Sequence, residues 1–327
     1  MIKRVQVQEN ARTKSGAPEQ GSVRKGWKLK IGTIIMLFIA FFLILAALSS
    51  LREAVTDKIL VVPIEGVITN ADEGFFIFGQ SATVPHITEC LERAEKDETV
   101  KAVLLDINSP GGTVIGSQNV ADEVEKVKEK KPVVAFINEI GASGGYWIAS
   151  AANEIVAEPF SITGSIGVTS SYLGYAGLLN NWNITYERLV TGEFKDIGTP
   201  YKELTERERS VLMQKLNLIH EEFVNVVAEN RGLEKEQVKT VANGLFYLGK
   251  EAKDLGLVDE LGNREFAEER AKKLAENDKL EIVECKQEGG FFSGARAQAL
   301  STFGYYIGRG IGAEISSSAQ DSTPQIR

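Results

Sequence analysis

Apolar positions fall into three regimes along this 327-residue chain. The first is continuous. Residues 31 to 48 read IGTIIMLFIAFFLILAAL without a charge. Extended to Leu51 the run has 21 residues, or about 31 Å as a helix, which matches the hydrocarbon core of a bilayer. The second regime alternates. KILVVPIEGVI (58–68) predicts a strand pair or a bent strand, and HITECLERAEKD (86–97) has helical spacing. VKAVLLDI (100–107) is a nearly unbroken apolar run, as expected of a strand buried on both faces. NSPGG (108–112) breaks it, and residues 113–131 follow as an amphipathic helix. PVVAFI (132–137) predicts another buried strand, the GASGG turn (141–145) opens a helix, and EIVAEP (154–159) predicts a third strand. Strands alternating with helices indicate an α/β domain with a largely parallel sheet.

The third regime begins at Leu204 and is helical. Thr205 with Glu208 forms a capping-box pattern, and Gly232 is the expected stop. Two shorter helices are predicted near 233–242 and 263–276, then a strand at LEIVEC (280–285). Residues 286–327 carry an apolar-aromatic stretch and then a polar end whose composition predicts disorder.

Charge orients the first regime. Lys3, Arg4, Arg12, Lys14, Arg24, Lys25, Lys28 and Lys30 precede the apolar run, opposed only by Glu9 and Glu19. The positive-inside rule then places a basic segment, 1–30, in the cytoplasm, a single-pass anchor at 31–51, and a domain at 59–285 outside the cell membrane. The rival reading is a cleaved signal peptide. The run is long for one, and AALSS is a poor cleavage site. A net charge of −8, with no basic stripe beyond the N-terminus, argues against a nucleic-acid partner. Cys90 and Cys285 fit no metal spacing and read as two unpaired core thiols, although a disulfide is not excluded.

The chemistry concentrates in GASGGYWIASAAN (141–153). Ser143 stands in a G-x-S-x-G pattern at the start of a helix, where the N-terminal amides favour a developing negative charge. The bland alternative is a glycine-rich helix start with Ser143 as N-cap. A nucleophilic serine needs a base. His220 is predicted deep in a helix beside Glu221 and Glu222, and His86 precedes a helix, so both are poor candidates. A lysine serves only when neutral, which at a pKa of about 10.4 holds for roughly one in 2,500 at pH 7. Desolvation lowers that pKa. Lys195 in TGEFKDIGTPY (191–201) has Phe194 and Ile197 to desolvate it and Gly192 and Gly198 to bend the loop. Glu193 and Asp196 oppose this unless they point away. On chemistry alone, Lys195 is one suspect among several.

Several motifs together resemble one family. DINSPGGTV (106–114), NEIGASGGYWIASAAN (138–153), ITGSIGV (162–168), TGEFKDIGTPY (191–201) and LGKEAKDLGLVDELG (248–262) resemble, in order, the bacterial signal peptide peptidases of the protease IV kind. The form resembled is the short, single-copy one, over roughly residues 59 to 285. The resemblance implies a serine peptidase with a Ser/Lys dyad on a Clp protease/crotonase-like fold, needing no metal or cofactor. It implies Ser143 as nucleophile, Lys195 as general base and Ser165 as the serine that orients the lysine amine. Gly111 and Gly112 match the loop that supplies an oxyanion-hole N–H, with Gly144 a second donor. It also implies hydrophobic peptide substrates such as remnant signal peptides, and a homo-oligomeric ring in which Ser143 and Lys195 come from the same or different chains. Two rivals share the fold: a crotonase-type acyl-CoA enzyme, and an inactive membrane-tethered scaffold. Ser109 in NSPGG ranks well below Ser143 as nucleophile because it precedes a proline on the oxyanion loop.

Overall fold

The computed structural model describes residues 32–45, 56–70 and 81–286. The chain divides into two compact units at Thr56/Asp57. In the first, helix α1 covers residues 32–45, and its large apolar side chains from Ile34 to Leu45 are exposed. Among the described residues no helix is long and apolar enough to cross a membrane. The remainder of the predicted 31–51 anchor lies outside the described residues, as does the tail from residue 287.

The second unit is a mixed α/β domain around a central sheet. It begins with β1 (Lys58–Glu65), β2 (Val67–Thr69) and β3 (Ser81–Thr83), then α2 (Val84–Lys96), β4 (Val100–Ser109) and α3 (Val114–Lys128). Next come β5 (Val133–Ala142), α4 (Gly144–Ser150), β6 (Glu154–Ala157), β7 (Ile162–Gly164) and α5 (Ala176–Asn181). The helical part follows as α6 (Glu206–Arg231), α7 (Lys235–Val241), β8 (Phe246–Leu248), α8 (Gly249–Asp254), β9 (Glu260–Leu261), α9 (Arg264–Leu274) and β10 (Glu281–Glu284).

Strand order in the main sheet is β10-β1-β4-β5-β6-β9, all parallel. β7 pairs with the far end of β5 and, antiparallel, with β8. Alternation along the strands supplies two cores. Leu60, Val62 and Ile64 of β1 and Val103, Leu105 and Ile107 of β4 face the layer of α2, α3, α4 and α6. Ile59, Val61, Ala102, Leu104, Val134 and Phe136 face α9 through Ala267 and Ala271. Burial on both faces is why these strands read as unbroken apolar runs.

The long helix α6 starts and stops as its sequence predicts. Thr205 Oγ1 accepts from the Glu208 amide while the Glu208 carboxylate accepts from the Thr205 amide. Gly232 ends it in the left-handed region, φ 61°.

The cysteines require a correction. They are not unpaired thiols: Cys90 on α2 and Cys285 just after β10 form a disulfide, Cα atoms 6.0 Å apart. Parallel pairing of β10 with β1, against which α2 packs, brings together residues 195 apart in sequence. Closing so large a loop restricts the unfolded chain, by about 5 kcal/mol in the loop-entropy limit and commonly about 2–4 kcal/mol. Cys90→Ala/Cys285→Ala is therefore expected to lower the unfolding free energy by about 2–4 kcal/mol, read as a lower urea midpoint, and reductant should no longer shift that midpoint. An unchanged midpoint would show that the bridge does not hold the native edge strand.

Candidate active site

Two loops at the carboxyl ends of neighbouring parallel strands build the site. β4 and β5 are in register at Ser109 and Gly141, so the segments that follow them lie side by side. This end of a parallel sheet is where ligands generally bind. After β5, Ser143 adopts φ 52° and ψ −120° before α4 begins. A non-glycine residue at positive φ is strained, and such strain persists only where the surroundings impose it. Here Ser143 N donates to Gly164 O at 2.8 Å and Trp147 N donates to Ser143 O at 2.9 Å. The Ser143 side chain makes no capping bond to the helix. It is therefore turned out rather than spent on the backbone, which sets aside the N-cap reading.

α4 can be wholly buried because its residues are small or well partnered. Trp147 stacks on Phe223 of α6 at 4.6 Å between ring centroids, and Tyr146 Oη donates to Leu257 O at 2.9 Å.

The loop after β4 presses against this turn. Gly111 has φ +99°, and a Cβ there would fall 2.6 Å from Gly144 N and 2.9 Å from Ser143 Cβ. Only glycine fits. The Gly111 amide donates to Ser109 Oγ at 3.1 Å, and Gly111 O accepts from Ile68 N at 3.0 Å. The backbone bonds that fix the loop thus use Gly111 and Thr113, whose amide donates to Ile68 O at 2.9 Å, and leave the Gly112 N–H uncommitted. Gly144 N is the first amide of α4, an orphan donor by position. A Cβ on Gly144 would lie 3.2 Å from Gly112 N. Gly112 and the Ser143–Gly144 turn therefore lie against each other. Ser109 is fully buried and donates to Gly66 O at 2.6 Å, so it holds the loop and is not presented as a nucleophile.

Two cavities open at Ser143. One of about 90 Å³ is lined by Gly112, Gly144, Trp147, Val168 and Phe223. The other, about 590 Å³, runs over Ser165, Val168, Met213, Leu216, Asn217 and His220. Ser165 sits at φ 50°; its amide donates to Leu245 O at 3.0 Å and its hydroxyl to Gly244 O at 3.3 Å.

Lys195 is placed differently. It is exposed, in a run of turns after Gly192, and lines neither cavity. Its acidic neighbours are occupied. Asp196 takes a two-bond clasp from Arg188 at 2.6 and 2.8 Å, which holds its carboxyl below the usual range. Glu193 pairs with Arg207 at 3.0 Å, and that guanidinium lies over Phe194. Residues 169–204, which carry Lys195, include no buried side chain, and Leu173, Trp182 and Leu189 are 72%, 70% and 92% exposed.

His86 lies 3.8–3.9 Å from Cys90 Sγ and takes no part. His220 lies within α6, as its sequence position predicts, and the structure adds what surface it meets. It faces the larger cavity with Met213, Leu216 and Asn217, a spacing of 0, 3, 4 and 7 that marks one helix face. That periodicity was available in the sequence, but nothing there showed which surface the face would meet.

The profile of peptidase family S49 matches residues 125–278. That span includes Ser143, Ser165 and Lys195 but not the glycine loop. The chain is 39% identical over 243 residues to a putative protease of Methanocaldococcus jannaschii, covering 74% of this chain and 76% of that one. It is 33% identical over 241 residues to a putative signal peptide peptidase of Enterococcus faecium, covering 73% and 70%. It is 32% identical over 221 residues to Protease 4 of Haemophilus influenzae, covering 67% of this chain and 35% of that one.

Proposed function

Because this chain belongs to peptidase family S49, the serine peptidases of the signal peptide peptidase A and protease IV kind, we propose that it is a membrane-anchored endopeptidase acting through Ser143 and Lys195. The observation that carries the reading is the strained turn at Ser143, with Gly112 and Gly144 packed beside it. Ser143 Oγ attacks a peptide carbonyl while the neutral Lys195 amine takes its proton. The oxyanion sits on the Gly112 and Gly144 N–H groups, each worth about 3 kcal/mol. Gly111 shapes that hole rather than donating to it. The lysine ammonium then gives its proton to the leaving amine and the freed amine activates water for deacylation. Ser165 orients the amine. Hydrophobic peptides are the substrate class, and the apolar small cavity over Trp147 and Phe223 supports that choice.

Lys195 reaches a serine of a neighbouring chain. The support is the 169–204 arm, which exposes nine large apolar side chains and buries none within one chain. A patch of that kind marks an interaction site. The homo-oligomeric ring covers it. Anchoring through residues 31–51 rests on the exposed apolar α1 and the basic leader. An extracytoplasmic domain suits the Cys90–Cys285 disulfide, since such bonds persist in oxidising compartments.

The test has two parts, both on the full chain in detergent with a fluorogenic hydrophobic peptide. Activity should rise with pH to an alkaline plateau, because the base works only when neutral. Co-assembled Ser143→Ala and Lys195→Ala chains, each inactive alone, should recover a substantial fraction of parent activity, since some interfaces pair an intact Ser143 with an intact Lys195. Recovery absent from a verified mixed oligomer would place both residues of each dyad in one chain.

A further inference from the structure

His220 has a use that the dyad does not assign. It is the only side chain with an ordinary acid–base function among the described residues lining the large cavity at Ser143. One ring nitrogen is committed: His220 Nε2 lies 2.8 Å from Ala242 O. A carbonyl oxygen has no proton to give, so Nε2 carries the hydrogen and donates. Ala242 is the residue that ends α7, whose last carbonyls have no partner within the helix. A second side chain serves the same end, as Tyr247 Oη donates to Val241 O at 3.1 Å.

The chain that leaves α7 then grips Ser165. Gly244 N donates to Ile166 O at 3.0 Å, Gly244 O accepts from Ser165 Oγ, and Leu245 O accepts from Ser165 N. Asn243 Oδ1 stiffens the turn by accepting from Leu245 N at 2.9 Å, and Gly244 takes φ +84°. The residues 242–245 are thus a short strap. It is pinned at one end by His220 and holds at the other the serine next to the nucleophile's cavity.

We propose that His220 is a positioning residue for peptide hydrolysis, acting through the Ala242–Leu245 strap to set the Ser165 hydroxyl. The inference rests on the Ser143/Lys195 reading, in which Ser165 orients the lysine amine. The imidazole transfers no proton; it supplies one N–H at one distance. Freed from that bond, the strap lets Ser165 drift, and misplacement of about an ångström in such a support costs up to about 100-fold in rate.

The experiment compares His220→Gln, His220→Asn and His220→Leu in the full chain, with Lys195→Ala alongside. The glutamine amide nitrogen reaches about as far as Nε2, whereas the asparagine amide is one methylene shorter. Expected are a kcat roughly 10- to 100-fold lower for Asn and Leu with KM within about twofold, recovery to within about fivefold of the parent in Gln, and melting temperatures alike for Gln and Asn. Equal kcat in Asn and Gln overturns the proposal, whether both are active, so that the bond is idle, or both are inactive, so that the imidazole itself is required. Should Leu not fold, the Gln–Asn pair still decides. Lys195→Ala separates the two ideas: if it keeps most of its rate the dyad reading fails, whereas if it is inactive and Asn matches the parent, only the role of His220 fails.

Discussion

Ser143→Ala is expected to lose at least four orders of magnitude in kcat and nothing measurable in stability. The asymmetry follows from the turn. Alanine and serine share a Cβ, so the positive φ is no worse for one than for the other, and the missing hydroxyl caps no helix amide. Lys195→Ala should fall as far while staying folded, because the side chain is exposed and its neighbours Asp196 and Glu193 are held by Arg188 and Arg207 rather than by the lysine. Members of a catalytic unit are grossly non-additive, so the double variant should be no slower than either single one. Steady-state assays with active-site titration and a thermal melt for each variant check this. A Lys195→Ala chain that keeps most of its rate would sink the dyad and return attention to His220.

The glycine loop should be nearly as intolerant, for a different reason. A Cβ on Gly112 would fall 2.0 Å from Ile68 O, 2.6 Å from Ile68 N and 2.7 Å from Ile68 C. All three are backbone atoms of β2 and no rotamer relieves them. Gly112→Ala must therefore shift the loop, and losing one oxyanion donor costs about 10²- to 10³-fold in kcat. Gly144→Ala meets a softer obstacle. Its nearest neighbour is Ser117 Oγ at 2.1 Å, a side chain that donates to Thr113 O. Adding Ser117→Ala removes that atom, so part of the loss in Gly144→Ala should return in the double variant. No second-site change at a side chain should rescue Gly112→Ala. Rescue in both cases would mean that the glycines matter for the space they leave and not as donor positions.

Much of this architecture is written in local pattern. The buried strands β4 and β5 betray themselves as unbroken apolar runs because both of their faces are covered, and α6 declares both ends through Thr205, Glu208 and Gly232. β7, β8 and β9 do not. They have two or three residues each, too few for a period, and exist because β5, β6 and each other offer free edges. The site divides in the same way. Ser143 and the glycines are legible because a sharp turn restricts residue type. The Cys90–Cys285 pairing is not, since it depends on β10 docking beside β1 across most of the chain. The cavity that His220 lines was not legible either, because helix position says nothing about which surface a face will meet.

The disulfide has a consequence for a protein that cuts peptides. Every residue from Cys90 to Cys285, including the whole exposed arm at 169–204, lies inside one covalent ring. A single nick in that arm, by a neighbouring copy or any other protease, opens the ring without releasing a fragment. The nicked chain would migrate as one band without reductant and as two with it. A single cut inside the ring sheds nothing; a second cut there, or one cut beyond Cys285 or before Cys90, is needed to release material.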